Sequence, residues 1–276
     1  MPFKYRCKKA PDPGAVLVSG LLLCAGGLVP LLAGSAWAAD CPTDRTSERV
    51  QAIHVYDGDT VKLRDGRRLR LIGINTPEVR RNGEAPQALA EPAKAALKAL
   101  LDKHNGSLLL RHGKEQHDHY GRLLAHAFLD DGSNVAVHLL EKGLATTLVV
   151  PPNTWARDCY QAREDSARAA RVGLWSLADY QPLESRALPL STRGFRLVRG
   201  QVTEIRQSRH NVWLDLEGPL VIKVPRSDLV NFKPGFPEDL AGRRIETRGW
   251  IRKDDRGLRL NLRHPAAIAV LDRGRH

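Results

Sequence analysis

The feature that constrains the chain most is a pair of short alternating runs joined by a two-residue turn. Val61-Lys62-Leu63-Arg64 and Arg67-Arg68-Leu69-Arg70-Leu71-Ile72 alternate apolar and polar residues, and Asp65-Gly66 lies between them. A side-chain period of two belongs to a strand with one buried face. Asp-Gly suits a tight hairpin, whose turn needs positive φ. Arg49 to Ile53 begins an earlier strand, and Ser107–Arg111 and Leu123–Leu129 read as later ones. Pro92 to Lys103 reads as a helix with Ala93, Ala96, Leu97, Leu100 and Leu101 on one stripe. Val135–Lys142 and Trp155–Arg171 are further helices, closed by Gly143 and Gly173. Several short strands precede the first helix. That order predicts an α+β, mainly β fold, an antiparallel barrel with helices outside rather than a βαβ sheet.

The chain has 276 residues, 42% hydrophobic and 27% charged, enough to bury a core. That excludes a disordered tail or a collagen-like fibre. Aromatics at 5% and a single Met argue against a large aromatic-lined cofactor pocket. The net charge of +12 points to a polyanion or an acidic surface as partner. From 186 to 276 there are 19 Lys/Arg against 10 Asp/Glu, whereas 39 to 185 balances at 20 of each. The basic surplus of the chain beyond its N-terminal leader therefore sits in the last third. Pro182-Leu183-Glu184-Ser185-Arg186-Ala187-Leu188-Pro189 reads as a linker. The expected organisation is a first domain over 39–182, a linker over 183–194 and a basic β-rich domain over 195–276. No internal repeat is evident.

Residues 1–38 read as an address. Lys4, Arg6, Lys8 and Lys9 precede an apolar run from Ala15 to Ala33, and Ala36-Trp37-Ala38 has the small-x-small pattern of a cleavage site. The expected location is secreted or periplasmic; the alternative is an uncleaved N-terminal membrane anchor. With the signal removed, no stable membrane association is expected, and two cysteines remain, Cys41 and Cys159. In an oxidising compartment an isolated pair is expected to bridge, the alternative being two free thiols.

Polar residues gather at the strand ends. Asp57-Gly58-Asp59-Thr60 precedes one strand, Arg70 sits in the next, Asn75-Thr76-Pro77-Glu78 ends it, and Tyr120-Gly121-Arg122 precedes a later strand. Each alone reads as a turn or a surface charge. Together they hold two acids and an amide, the hard oxygens that Ca²⁺ takes. They also hold two arginines that can clamp phosphate bidentately and a further carboxylate that can accept a proton from water. His112, His117 and His119 lie close in sequence, but no paired Cys or helical i, i+4 pair accompanies them, so a solvated loop is the expected reading.

Asp57-Gly58-Asp59-Thr60-Val61-Lys62-Leu63, then Arg70-Leu71-Ile72-Gly73-Ile74-Asn75-Thr76-Pro77-Glu78, then Tyr120-Gly121-Arg122-Leu123-Leu124-Ala125 resemble the thermonuclease (staphylococcal nuclease-like) family. Gly143-Leu144-Ala145 and Gly173-Leu174-Trp175 match its later landmarks. The resemblance spans about residues 48–176. It implies an OB-type five-stranded barrel with three helices and Ca²⁺-dependent hydrolysis of DNA and RNA to 3′-phosphates. It makes Asp59, Asn75 and the Thr76 carbonyl ligands of Ca²⁺, with Asp57 in the outer shell. Arg70 and Arg122 become the phosphate clamp, Glu78 the general base, and Tyr120 an expected substrate contact. Two departures stand out. The family's second ligand is commonly Asp where this chain has Asn75, and Thr147-Leu148-Val149-Val150 replaces its base-stacking tyrosines.

In the last third, Phe195–Arg206, Asn211–Leu216, Leu220–Val224, Arg244–Lys253 and Gly257–Arg263 read as strands of a second, small OB-like barrel. Period-two sorting puts Arg248, Trp250, Arg252, Arg259 and Arg263 on one sheet face, expected to contact nucleic acid. DNA or RNA is the expected partner of a monomer, with no protein partner identified. A catalytically inactive nucleic-acid-binding protein is the alternative.

Overall fold

The computed structural model describes residues 41–79, 85–255 and 257–271. The first barrel is built from β1 (Glu48–Asp57), β2 (Thr60–Leu63), β3 (Arg68–Leu71), β5 (Ser107–His117) and β6 (Leu123–Phe128). A short strand β4 (Gly73–Asn75) leaves it, and three helices α1 (Ala90–Lys103), α2 (Val135–Glu141) and α3 (Arg157–Ala169) cover it. The strands close in the order β1-β2-β3-β6-β5. The alternation read from the sequence determines which side chains point inward. Val61, Leu63, Leu69 and Leu71 are buried, and they meet Leu97 and Leu101 of α1.

The structure differs from the sequence reading at several ends. The run 67–72 holds one strand, β3, which ends at Leu71. Gly73 has φ +88, a conformation that turns the chain sharply, so β3 stops and β4 starts in a new direction. There β4 pairs with β7 (Thr146–Leu148), too short for periodicity to mark. His112 and His117 are not in a loop: β5 carries them, and they pair with Ala125 and Leu123 across a bulge.

The second barrel contains β9 (Gly194–Gln207), β10 (Asn211–Leu216), β11 (Leu220–Pro225), β12 (Arg244–Asp254) and β13 (Gly257–Asn261). Pairing of β12 with β9 closes it, in the order β9-β10-β11-β13-β12. Both barrels have one strand order, 1-2-3-5-4, with strands 3 and 5 parallel (β3 with β6, β11 with β13) and 1 and 4 antiparallel. This is the OB topology twice over, without a visible sequence repeat. Within the segment read as a linker, β8 (Leu183–Glu184) adds to β9, and Ser185 and Leu188 are buried. A last strand β14 (Ile268–Val270) flanks β12. The described residues lie in one compact unit. Residues 1–38, read as a signal, lie outside the described residues.

Cys41 and Cys159 form a disulfide that ties the chain before β1 to α3 across 118 residues. Beside it runs a buried polar network. His126 Nδ1 lies 3.0 Å from the Tyr160 hydroxyl, and Asn134 Nδ2 donates to that hydroxyl and to the Cys41 carbonyl. Asn134 Oδ1 also caps α2 by accepting from Ala136 N–H at 3.0 Å.

Candidate active site

The site lies where the β1–β2 turn, β3, β4 and the β5–β6 turn meet. Asp57-Gly58-Asp59 turns tightly, with Asp59 N–H donating to Asp57 Oδ1 at 3.0 Å. Gly58 is required here for space. A Cβ on it would sit 2.7 Å from Thr76 Cγ2 and 2.9 Å from Ala93 Cβ. The turn therefore packs flat against the residues after β4.

That approach brings the expected cation ligands together. The Thr76 N–H donates to Asp59 Oδ2 at 2.8 Å, and its hydroxyl does so at 3.1 Å. Asn75 Nδ2 donates to the Thr76 carbonyl at 3.0 Å. Arg70 bridges the set: Nη1 is 3.0 Å from Asp59 Oδ2 and Nη2 donates to Asn75 Oδ1 at 3.0 Å. Asp59 is buried. Burial raises the Asp57 carboxyl well above its usual range, and the adjacent negative Asp59 adds to the effect.

The donor set fits a hard divalent cation. Two carboxylates, an amide oxygen and a main-chain carbonyl are oxygen ligands of the kind Ca²⁺ takes. Negative charge is concentrated in a buried turn, and Arg70 is the positive group that touches it. Among the described residues no cluster of three or more His, Cys, Asp or Glu forms a metal-binding group, so the set leans on Asn75 and the Thr76 carbonyl.

Glu78 follows two residues later. Its N–H donates to Gln87 Oε1, and Gln87 N–H donates back to the Glu78 carbonyl, both at 3.0 Å. This pair closes the loop base and holds Glu78 at the rim. Arg122 comes from the β5–β6 turn. Asp118 organises that turn, accepting from Tyr120 N–H at 3.0 Å, Arg122 N–H at 2.9 Å and Arg122 Nε at 2.7 Å. Burial raises the Asp118 pKa, but these Arg122 bonds outweigh it and the net shift is downward. The sequence reading missed Asp118 and Gln87. An Asp four residues before Arg122, ahead of Tyr120-Gly121, is an Asx-turn signal that pointed to the former.

Arg70, Asn75, Glu78, Asp118 and Arg122 line one cleft of about 490 Å³. His119 joins them there, whereas Tyr120 projects outward, 70% exposed, with the Arg122 guanidinium 5.4 Å from its ring.

Of the basic face expected on the second barrel, Arg248, Trp250, Arg252 and Arg263 line one cavity, and Arg259 is not part of that lining. Arg263 lines the cleft that holds Arg70 and Arg122 and pairs with Asp228 at 2.9 Å. Trp250 and Arg252 lie farther along. Arg259 packs over Trp213 at 4.8 Å and pairs with Asp254 at 2.5 Å. Arg248 turns inward, to Glu164 Oε2 at 2.6 Å and Gln161 Oε1 at 2.8 Å. It joins the barrels and does not present an open face. β12 runs alongside the first barrel, a relation strand periodicity does not encode.

Fold and cleft together define an OB-barrel protein with two arginines and a carboxylate on one cleft beside a set of oxygen donors. The comparisons give its family. A family model described as staphylococcal nuclease homologue matches residues 68–177. Thermonuclease of Staphylococcus intermedius is 30% identical over 168 residues, 58% of this chain and 97% of that protein. Endonuclease YncB of Bacillus subtilis is 34% identical over 129 residues, 45% of this chain and 60% of that protein. The SPbeta prophage-derived endonuclease YokF of the same organism is 31% identical over 158 residues, 55% of this chain and 49% of that protein. The chain thus spans 60% of YncB and about half of YokF. It belongs to the staphylococcal nuclease family.

Proposed function

We propose that the protein is an exported, Ca²⁺-dependent nuclease that hydrolyses phosphodiester bonds of DNA, RNA or both and leaves 3′-phosphates. The observation that carries this reading is the convergence of Arg70, Glu78 and Arg122 on one cleft, beside Asp57, Asp59, Asn75 and Thr76. A binding module needs no carboxylate facing a phosphate clamp. Asp59, Asn75 and the Thr76 carbonyl would hold the cation, with Asp57 behind them. When bound, Ca²⁺ supplies charge neutralisation at the phosphate.

The residues divide the remaining work. Arg70 and Arg122 bond the non-bridging oxygens and hold them more tightly as negative charge grows, which favours the transition state over the ground state. Glu78 orients water and accepts its proton as oxygen bonds to phosphorus. The bond from phosphorus to the 5′-oxygen breaks, and that oxygen leaves with a proton from solvent. The phosphate stays on the 3′ side. Asn75 favours the second reading, a weak or inactive nucleic-acid binder, because it removes one negative charge from the ligand set.

Residues 39–276 digested with plasmid and single-stranded DNA, in Ca²⁺ and in chelator, test the proposal. Cleavage in Ca²⁺ alone, with phosphate on the 3′ ends, is expected; binding without cleavage supports the second reading. N-terminal sequencing of the exported protein is expected to begin at Ala39.

A further inference from the structure

The catalytic cleft does not end with the first barrel. Arg263 of the second barrel lines it beside Arg70, Glu78 and Arg122. Arg263 also lines an adjoining cavity of about 240 Å³. Leu148 and Val150 face both spaces, so the two share a wall. The smaller cavity is lined by Leu148, Val149 and Val150, the stretch where the sequence has no aromatic residue, and by Trp250, Phe195 and Arg252 of the second barrel.

The chemistry of this lining is specific. Trp250 is half-buried and meets Phe195 edge-on, with ring centroids 5.2 Å apart at 66°. Such a contact fixes an indole plane while leaving part of it open. Aliphatic side chains of Leu148, Val149 and Val150 line the same cavity. Arg252 is exposed at the rim, and Arg263 stands between this cavity and the catalytic cleft. Aromatic and aliphatic walls with guanidinium groups at the edge suit a flat heterocycle on an anionic backbone.

We propose that this cavity takes one unpaired nucleobase flanking the scissile phosphate, stacked on Trp250, with Arg252 and Arg263 on its backbone. Single-stranded nucleic acid is then the preferred substrate class. A base in a duplex is already paired and stacked, and a space of this size beside the cleft does not admit a base pair with both its strands. The positive charge matches this occupant, because the last third of the chain carries the basic surplus. The inference rests on the nuclease reading above and adds to it a strand preference supplied by the second barrel.

Cleavage of one oligonucleotide, single-stranded and as a duplex, tests it in residues 39–276 and in Trp250→Leu, Trp250→Phe and Arg252→Ala. Trp250→Leu keeps an apolar contact with Phe195 and loses the stacking face. Its KM for the single strand is expected to rise about tenfold, with kcat little changed and duplex cleavage unaffected. Trp250→Phe should recover most of the loss. Arg252→Ala, at an exposed position, should weaken single-strand binding and lower its salt slope by about one. Equal cleavage of both forms by the unaltered protein, or an equal effect of Trp250→Leu on both, overturns the proposal. If neither form is cut, the nuclease reading fails by itself. Fluorescence anisotropy of labelled oligothymidylate then decides this one: tenfold weaker binding to Trp250→Leu supports it, and unchanged binding overturns it.

Discussion

Arg248 Nη1 lies 2.6 Å from Glu164 Oε2, and this ion pair crosses from the second barrel into the first. The Glu164 side chain is wholly buried on α3. Glu164 also accepts from Thr147 N–H at 3.1 Å and from the Thr147 hydroxyl at 2.5 Å. Thr147 belongs to β7, which pairs with the strand carrying Asn75. A charge on the second barrel thus steadies the strand that pairs with the one carrying Asn75. Arg248→Ala would leave a buried carboxylate without its counter-charge, at a cost of about 3–5 kcal/mol. Urea unfolding should show this loss, and an additional Glu164→Gln should recover part of it. Additive losses in the double variant would refute the coupling.

Gly58→Ala tests the close approach at the Asp57-Gly58-Asp59 turn. Its Cβ would meet Thr76 Cγ2 at 2.7 Å and Ala93 Cβ at 2.9 Å, so Thr76 or the turn must move. A displacement of about 1 Å in a catalytic constellation costs roughly a hundredfold. Turnover on single-stranded DNA should fall by about that factor, with the circular dichroism of the fold retained. Unchanged turnover would show that the turn has slack.

Asn75→Asp adds a negative charge to the ligand set and removes the Nδ2 donor that bonds the Thr76 carbonyl. The added charge attracts a divalent cation more strongly than it does the single charge of Arg70, and the lost donor frees the Thr76 carbonyl. Ca²⁺ affinity, measured by isothermal titration, should rise about tenfold or more. Equal affinity would place the amide outside the ligand set.

Glu78→Gln and Arg122→Ala should each lower kcat by about a hundredfold or more. Gln keeps the size of the rim residue but cannot take the water's proton. Full activity in either variant would remove that residue from the mechanism.

His126 predicts an acid-sensitive fold. Burial, with a smaller contribution from the Arg111 charge, pushes its pKa down from 6.5 to about 3. The folded protein holds it neutral while the unfolded chain protonates it. Its contribution is present in full above pH 6.5 and is lost as pH falls towards 3. The slope of unfolding free energy against pH in that window should be smaller in His126→Gln. Parallel slopes would exclude His126 as the titrating group.

The local elements were legible in the amino-acid sequence, and the reason is period. Val61, Leu63, Leu69 and Leu71 alternate because a barrel has one inside, and Leu97 and Leu101 recur because a helix has one buried stripe. That Arg70, Asn75, Glu78 and Arg122 share one cleft, with Asp59 bonded to Arg70 and Thr76, was expected from their places in turns and at strand ends. Tertiary structure decided the rest. Both closures join strands distant in the chain. The partner of Arg248 lies 84 positions away, and Trp250 and Val150, from different barrels, line one cavity. Alternation assigns a side chain to a face, but what covers that face depends on which strands close, and that is settled by packing of the whole chain.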